Sequence, residues 1–339
     1  MRRARPVLVT TVLAATGIAA LVALSYRAEL RRAHDTVILG SLIANTVAGP
    51  IEYAERGTGI PLLSIHGAGG GFDQGLSTAA DLVGEGFHIV APSRFGYLRT
   101  PIPHDTSPAA QADAHAALLS ELEVTKAIVV GVSAGARSAL ELAIRHPNRV
   151  AALILLVPGT YSPSNPVSIK AGRGNDLTFW LVNNGADFAW WAAERIAPSM
   201  LIRFIGVPPD LVTASPKSEQ DRVMSIVRSI APLSLRVAGI NIDSVPDLLP
   251  LPLERIAVPT LIVSARDDLF NTLPAAEFAA SKIPNSKLII YDSGGHLFVN
   301  RERDVRTVIG QFLSSAGLAP LSPQAIGLDP ARKTASSGR

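Results

Sequence analysis

The stretch that decides the fold is Gly131-Val132-Ser133-Ala134-Gly135, which follows the apolar run of residues 127–130. A short apolar run predicts a buried strand, and the alanines and leucines after the stretch predict a helix that ends near residue 145. The pattern G-x-S-x-G between a strand and a helix is typical of a nucleophile elbow, a tight turn that presents a serine hydroxyl. The glycines permit this turn, and the positive end of the helix favours negative charge that develops beside it. Ser133 is therefore the candidate nucleophile.

A serine hydroxyl needs a general base to activate it, and the base needs a carboxylate to orient it. The chain has seven histidines, and only His296 stands on a predicted loop after a late strand, directly behind Gly294 and Gly295. Two glycines suit a tight, exposed loop. We predict that His296 is the base, with a purely structural histidine as the alternative.

The candidate acids follow the predicted strand at residues 260–263, in the segment Ser264-Ala265-Arg266-Asp267-Asp268. Either Asp267 or Asp268 can reach His296, and the other is then a turn residue or a helix cap. The predicted strand that ends at residue 157 is followed by no carboxylate through Tyr161, so it supplies no competing acid.

An acyl-transfer intermediate needs two backbone N–H donors for its oxyanion. The residue after the nucleophile supplies one of them, which makes Ala134 the first candidate. The second is expected from the glycine loop at residues 66–71, because this loop directly follows the apolar run of residues 62–65. The loop does not fit a dinucleotide site, since the G-x-G-x-x-G fingerprint would require glycine where Phe72 stands.

Short apolar runs alternate with helical patterns over residues 36–158 and again over residues 256–318. Such alternation indicates a mostly parallel, doubly wound sheet that helices cover on both faces. The first two strands are expected within residues 36–54. A helix is expected to begin at Pro108 with Ser107 as its N-cap.

Residues 159–255 interrupt this alternation with helical patterns, many prolines and all three tryptophans, Trp180, Trp190 and Trp191. An insertion at the carboxyl ends of parallel strands lies where such sheets bind ligands. We therefore predict a helical lid inserted after the sixth strand. Its aromatic residues are candidates for lining an apolar pocket, but for each tryptophan alone we favour ordinary helix packing.

Residues 1–35 form a separate segment, in which three arginines precede an uncharged run at residues 6–26. About 20 apolar residues suffice to cross a bilayer as one helix, so we favour an uncleaved, single-pass membrane anchor. The free amino terminus adds to the positive charge before the run, which places the bulk of the chain outside the cytoplasm. The alternative is a signal peptide cleaved after Ala23-Leu24-Ser25, which would give a secreted or periplasmic protein.

Composition excludes several classes of site. The chain contains no cysteine, so disulfides, thiolate metal sites and thiol catalysis are ruled out. Charged residues make up 17% of the chain, its formal net charge is +3, and its arginines cluster near the two ends rather than along one helix. No nucleic-acid partner is therefore expected. Residues 319–339 are polar and broken by prolines, which predicts a disordered tail.

The order of the motifs resembles that of the α/β-hydrolase superfamily: HGAGGG at residues 66–71, GVSAG at 131–135, ARDD at 265–268 and GGH at 294–296. The resemblance covers about residues 36–316 and implies the α/β-hydrolase fold with a Ser-Asp-His triad. Position within the family's motifs favours Asp268 over Asp267, although Ala265 replaces the usual glycine, and makes Ala68 the second oxyanion donor. The family's frequent D-x-x-G-x-G loop is replaced here by Ser93-Arg94-Phe95-Gly96-Tyr97, a departure in loop architecture and substrate contacts rather than in the triad.

Within this superfamily, a serine at the elbow argues against epoxide hydrolases and haloalkane dehalogenases, which use aspartate there. The resemblance implies a serine hydrolase of an ester or related acyl compound that requires no metal or organic cofactor. The low charge around the lid tryptophans favours an apolar, medium-sized small-molecule substrate. Two alternatives stay open: a carbon–carbon bond hydrolase of ring-cleavage-type diketones, and a ligand sensor that keeps the fold without turnover.

Overall fold

The computed structural model describes residues 4–164, 185–244 and 248–320, with side chains from residue 13 onward. Its centre is an eight-stranded sheet with the strand order β1-β2-β4-β3-β5-β6-β7-β8. The strands are β1 Leu42–Thr46, β2 Gly49–Arg56, β3 Ile60–Ile65, β4 Phe87–Pro92, β5 Ala127–Val132, β6 Val150–Leu156, β7 Thr260–Ala265 and β8 Ser286–Tyr291. Strand β2 pairs antiparallel with β1 and β4, and the other neighbours are parallel. The prediction of a mostly parallel, doubly wound sheet is confirmed.

Helices flank the sheet and also lie in the described parts of the segment between β6 and β7. They are α1 Ala4–Leu39, α2 Phe72–Val83, α3 Pro108–Glu121, α4 Gly135–Arg145, α5 Asp187–Ile196, α6 Pro198–Phe204, α7 Pro209–Thr213, α8 Lys217–Ser229, α9 Val237–Asp243, α10 Leu273–Lys282 and α11 Glu302–Ser315. Helix α3 begins as predicted, because the Ser107 side chain accepts the N–H of Ala110 at 3.2 Å and Pro108 occupies the first turn. This cap satisfies a backbone donor that the helix itself leaves unpaired.

The side chains of β5 alternate between two cores. Val129 belongs to the core that contains α3, α4 and α10, whereas Ile128 and Val130 belong to the core that contains α2 and α11. All three are almost completely buried, and burial of such a side chain contributes about 1.5–3 kcal/mol. Packing on both faces of the sheet fixes the position of the carboxyl end of β5, and therefore of the turn that follows it.

Helices α5–α9, which we call the cap helices, lie within the segment predicted to be a lid. They enclose a small core of their own. Trp190 at its centre is 1% exposed, and its indole N–H donates to the Val227 carbonyl at 3.3 Å. Tyr97 and Val299 from the rest of the protein also enter this core, so it attaches the cap helices to the sheet domain. The predicted lid boundaries at residues 159 and 255 stay a prediction, and residues 165–184, with Trp180, lie outside the described residues.

Helix α1 ends at Leu39, four residues inside the span where strands were expected. The prediction that a strand begins near Thr36 is therefore wrong. The last turn stays helical because buried Val37 packs in one cluster with Ala54 and Phe72, and the N–H of Gly40 donates to the Thr36 carbonyl at 3.1 Å. Burial in the folded domain outweighs the strand preference of the local β-branched residues. The predicted tail beyond residue 320 lies outside the described residues.

Helix α1 is long and apolar enough to cross a membrane over Leu13–Leu39, by length and composition. Leu21 and Leu24 on this helix are 68% and 64% exposed. Farther along, the helix contacts the cap. The Tyr26 ring lies 5.1 Å from the Phe188 ring, and Glu29 accepts hydrogen bonds from the Trp191 indole at 3.1 Å and from Arg195 at 2.6 Å. The apolar part of α1 thus projects from the protein, and the part after it joins the fold.

Helix α4 starts so close to β3 that its first residue must be glycine. A Cβ on Gly135 would lie 2.4 Å from the His66 carbonyl oxygen and 2.6 Å from that of Ile65. Both obstacles are main-chain atoms, which cannot rotate away. The close approach is what allows the β5–α4 turn to stand at the edge of the sheet.

We expect Gly135→Ala to lower the free energy of unfolding by about 1–3 kcal/mol, because the added methyl overpacks main-chain atoms. Denaturant unfolding of the full chain in a mild detergent measures this. Gly310→Ala is the matched control, since nothing lies within 4 Å of its added Cβ and alanine favours helix by about 1 kcal/mol. Equal stability of the two variants would contradict the packing argument.

Candidate active site

Ser133 stands on a strained turn between β5 and α4. Its φ is +50°, in the left-handed region that costs a non-glycine residue about 1–3 kcal/mol. Three hydrogen bonds hold the turn: its N–H donates to the Leu156 carbonyl at 2.9 Å, and its carbonyl accepts from Gly159 at 2.9 Å and Ala136 at 3.1 Å. Strand β6 and the first residues after it therefore fix Ser133 at the carboxyl edge of the sheet.

His296 and Asp268 meet at the same edge, after β8 and β7 respectively. The Nδ1 atom of His296 lies 2.9 Å from Oδ2 of Asp268. The carboxylate also accepts the N–H of Phe270 at 2.9 Å and the hydroxyl of Thr272. The main-chain N–H of His296 donates to the Gly206 carbonyl at 3.1 Å, and both side chains are buried. The acid loop thus holds the imidazole, and a carbonyl from the cap holds the main chain of His296.

The electrostatics of the pair favour an ionised aspartate. Burial by itself raises the pKa of Asp268, but the His296 charge and the hydrogen bonds from His296, Thr272 and Phe270 outweigh it, so the pKa is lowered. A carboxylate facing Nδ1 keeps the proton of a neutral imidazole on that atom. The Nε2 atom is then the one that can accept a proton.

Asp267 has a different set of contacts from its neighbour. Its carboxylate accepts the N–H groups of Gly294 at 2.9 Å and Gly295 at 2.7 Å, together with the Ser293 hydroxyl at 2.9 Å. The geometry therefore brings Asp268 to the imidazole, while Asp267 shapes the loop that carries it. This division answers the choice that the residues alone left open.

The two candidate oxyanion donors lie on either side of Ser133. Ala134 begins the turn into α4, and Ala68 is an exposed residue of the glycine loop. Within the described part of the chain, no hydrogen bond uses the main-chain N–H of either residue. Both residues line one cavity together with Ser133 and His296. Their N–H groups are thus available to a ligand there.

His66, a residue to which the sequence assigned no role beyond opening the glycine loop, fixes the shape of that loop. Its Nε2 accepts the Arg94 main-chain N–H at 3.0 Å, so its Nδ1–H donates to the Gly67 carbonyl at 2.7 Å. Burial, with the adjacent Arg94 charge, holds the pKa of His66 well below its usual value. The ring is therefore neutral, and this tautomer positions the loop that carries Ala68.

A buried charge network connects the glycine loop to the cap helices, and sequence reasoning missed it. Both terminal nitrogens of Arg94 donate to the Asp243 carboxylate, at 2.7 and 2.6 Å, and its Nε donates to the His66 carbonyl at 3.0 Å. The Tyr97 hydroxyl donates to Asp243 at 2.5 Å and accepts the N–H of Gly69 at 3.3 Å. The one hint in the sequence was Arg94, which lies in the loop Ser93–Tyr97 that differs from the family pattern. Its partner is 149 residues away, so no local pattern connects the two.

The cavity beside Ser133 has a volume of about 410 Å³. Its apolar walls come from the sheet edge and the cap helices: Leu156, Val157, Phe204, Ile205, Ile230, Leu233, Ile240 and Phe270. Neither Trp190 nor Trp191 lines it, which agrees with the helix packing that the sequence favoured for each of them. Trp190 packs inside the cap core and Trp191 against Tyr26 of α1. Among the described residues, no group of three or more His, Asp or Glu side chains is placed to hold a metal ion.

A model of the family described as alpha/beta hydrolase fold matches residues 60–299. The chain belongs to this family. Among curated proteins, the α/β hydrolase is 26% identical over 276 residues to a 2-hydroxymuconate semialdehyde hydrolase of Pseudomonas putida, covering 77% of this chain and 90% of that protein. It is 27% identical over 250 residues to a pimeloyl-[acyl-carrier protein] methyl ester esterase of Aromatoleum aromaticum, covering 73% and 96%.

Among solved structures, an alpha/beta hydrolase fold protein from Nakamurella multipartita superposes with a TM-score of 0.65 at 27% identity. The match covers 82% of this chain and 99% of the other. The relatives thus agree on a hydrolase of this fold and differ in the bond that they cleave.

We expect Asp243→Asn to lower the stability of the α/β hydrolase at pH 7 by about 3–5 kcal/mol, because it leaves the buried Arg94 charge without its partner. Burial raises the pKa of Asp243, but Arg94, Arg137 and Tyr97 outweigh it and hold the pKa below the ordinary 3.8. The carboxylate therefore contributes stability above pH 3.8, and that contribution is lost as the pH falls below this value.

Denaturant unfolding between pH 7 and pH 3 tests this prediction. The difference in free energy of unfolding between wild type and variant should stay constant down to about pH 4. It should then narrow as the wild-type carboxyl protonates. Asp304→Asn, which removes an exposed partner of Arg301, is the control and should change stability by less than about 0.5 kcal/mol. A difference in free energy of unfolding that grows as the pH falls would contradict the predicted pH dependence.

Proposed function

We propose that this α/β hydrolase is a serine hydrolase that cleaves an ester or related acyl compound through an acyl-enzyme intermediate. The observation that carries the proposal is the His296–Asp268 contact at 2.9 Å, together with the cavity that His296 and Ser133 both line. The chemistry requires no metal or organic cofactor, because the nucleophile, base, acid and oxyanion donors all come from the chain.

In the proposed mechanism, the Ser133 hydroxyl attacks the substrate carbonyl while Nε2 of His296 takes its proton. Asp268 stabilises the imidazolium that forms. The N–H groups of Ala134 and Ala68 bind the oxyanion of the tetrahedral intermediate, where one such donor is worth about 10²–10³ in rate. His296 then protonates the leaving group. Water, activated by the same imidazole, releases the acyl group from Ser133.

The substrate that the cavity favours is a small, largely apolar acyl compound. Aliphatic and aromatic side chains supply most of its walls, and its volume lies within the range of small-molecule sites. Residues of the sheet, of the glycine loop and of the cap all contribute to the lining. The cavity thus holds a carbon skeleton beside Ser133 and away from bulk water.

A carbon–carbon bond hydrolase of ring-cleavage-type diketones is the second candidate. Relatives described as a 2-hydroxymuconate semialdehyde hydrolase and a 2-hydroxy-6-oxo-6-phenylhexa-2,4-dienoate hydrolase are similar over most of the chain. It uses the same serine and base on a vinylogous diketone. A membrane-anchored protein suits this role less well than a cytoplasmic one. A sensor that binds ligand without turnover is the third reading, and multiple turnovers would exclude it.

We further propose that α1 is an uncleaved membrane anchor with the hydrolase domain outside the cytoplasm. Its exposed apolar stretch supports this, as does the contact of Tyr26 and Glu29 with the cap, which gives the segment after the run a place in the folded protein. Cleavage of a signal peptide after Ser25 is the alternative, with a secreted or periplasmic product.

The catalytic proposal predicts that a fluorophosphonate probe labels wild type and that labelling disappears in Ser133→Ala. Hydrolysis of ethyl esters with four to eight acyl carbons should vanish in Ser133→Ala and His296→Ala, measured by proton release. Asp268→Asn should lower kcat by about 10⁴-fold, because it reverses the tautomer of the ring. Asp267→Asn should lower kcat much less, because its carboxylate contacts the loop and not the imidazole.

His146→Ala is the control for loss of a histidine, since His146 pairs with Asp113 at the surface of α4 and should leave the rate unchanged. Undiminished ester hydrolysis by Ser133→Ala would overturn the mechanism. Labelling together with cleavage of a vinylogous 1,5-diketone, and not of esters, would establish the carbon–carbon reading instead.

The anchor proposal predicts that the mature chain stays in the membrane pellet after a carbonate wash and dissolves only in detergent. Its intact mass should include residues 1–25, because nothing removes them. Protease added from outside the cytoplasm should digest the hydrolase domain in intact cells. A soluble mature chain that starts at Tyr26 would contradict the prediction and favour the signal peptide.

A further inference from the structure

Arg137 is a charged residue of the cavity that the proposed chemistry does not use. It lies on the first turn of α4, four residues after Ser133, and lines the same cavity as Ser133. A charged group in the cavity of the nucleophile bears on any substrate whose carbonyl sits over Ser133.

The Arg137 guanidinium makes two hydrogen bonds, and both are to main-chain carbonyls. Its Nε donates to Gly159 at 2.8 Å and one terminal nitrogen donates to Asp243 at 2.9 Å. Its other terminal nitrogen has no hydrogen-bond partner among the described residues. A guanidinium carries five N–H donors, so Arg137 keeps donors that a ligand in the cavity could use.

No carboxylate among the described residues lies within 4.0 Å of Arg137, in contrast to three other arginines near the cavity. Arg94 pairs with Asp243 at 2.6 Å, Arg222 with Glu219 at 2.7 Å and Arg236 with Asp73 at 2.7 Å. Asp243 is close to Arg137, but Arg94 and Tyr97 already occupy its carboxylate oxygens. Arg94, Arg137 and Asp243 together therefore carry one uncompensated positive charge.

An uncompensated charge in this position is costly for the folded protein. Burial lowers the pKa of Arg137, the nearby Asp243 charge opposes this, and the Arg94 charge adds to the lowering. A buried cation is stabilised by an anion with matching hydrogen-bond geometry. A ligand in the cavity is the group that is placed to supply that anion.

We propose that Arg137 binds a carboxylate of the substrate, so that the substrate is an acyl compound that carries a carboxylate a few carbons from the bond that is cleaved. The inference rests on the proposed function and names its substrate class. One carboxylate balances the single uncompensated charge, and its two oxygens match the planar guanidinium. The apolar walls then take the carbon chain that joins the carboxylate to the scissile carbonyl.

A purely structural role for Arg137 is the competing explanation, because its two bonds tie α4 to the start and the end of the cap segment. Loss of such a tie loosens the cavity for every substrate. Loss of an anion site instead affects only the substrates that carry the anion. A pair of substrates that differ only in that charge therefore separates the two explanations.

The test compares monoethyl adipate with ethyl 6-methylheptanoate, in which an isopropyl group replaces the carboxylate. We expect the wild type to favour the anionic ester. In Arg137→Gln, kcat/KM for monoethyl adipate should fall about 10- to 100-fold, the loss typical of a hydrogen bond to a charged group. The neutral ester should change less than about threefold. Arg137→Lys should recover part of the preference, because it keeps the charge and loses the planar fork.

Arg145→Gln is the matched control, because Arg145 lies on the same helix and pairs with Asp113 at the surface. It should leave both rates unchanged. An equal fall for both esters in Arg137→Gln would establish the structural tie and overturn the anion site. The same conclusion would follow if the wild type did not prefer the anionic ester.

A binding measurement separates this inference from the proposed function. Titration calorimetry of monoethyl adipate into Ser133→Ala, with and without Arg137→Gln, needs no turnover. Binding that weakens about tenfold or more in the double variant supports the anion site, even if wild type neither hydrolyses esters nor takes up the fluorophosphonate. Equal binding by the two variants overturns the site, even if the esterase is active.

Discussion

The rest of the site depends on one constraint, the left-handed turn at Ser133. A strained residue keeps its conformation only when its surroundings hold it, and here β6 and the first residues after it do so through the main chain of Ser133. The turn also needs α4 to start against β3, which Gly135 alone permits. Strain at the centre is thus balanced by the regular pairing of the parallel strands around it.

The sheet sets the position of the nucleophile, but the cap takes part in holding the other groups. The Gly206 carbonyl accepts the main-chain N–H of His296, and Asp243 of α9 binds the arginine that orients the glycine loop. Burial of the Arg94–Asp243 pair is costly unless every lone pair is used, and Tyr97 completes the set. The cap helices therefore belong to the framework of the site as much as to its cover.

Local patterns in the sequence contain much of this arrangement. The strands near Ser133, Asp268 and His296 are continuous apolar runs bounded by glycine or charge, so their carboxyl ends were predictable. The preference for Asp268 over Asp267 came from position within a family motif, because the spacing of the residues in the sequence allows either aspartate to reach the imidazole. The roles of these residues in catalysis remain predictions that the proposed variants address.

Other features depend on contacts between distant parts of the chain, which no local pattern contains. The Arg94–Asp243 pair joins a loop after β4 to the end of helix α9, which lies 149 residues farther along the chain. The end of α1 follows from burial of Val37 against Phe72 rather than from the strand preference of its neighbours. Composition left open whether any tryptophan lines the cavity, because composition does not say which face of a helix points inward.

The junction between α1 and the cap has a consequence for how the hydrolase meets its substrate. A flexible linker would let the domain tumble above a membrane, whereas α1 continues as one helix from its apolar stretch to Leu39, with Glu29 bound to Arg195 and Val37 buried in the domain. With the apolar stretch in a bilayer, the domain has one fixed orientation relative to the lipid surface. The cavity then faces one direction relative to the bilayer. The rate at which substrate reaches it depends on the direction of approach as well as on the substrate concentration.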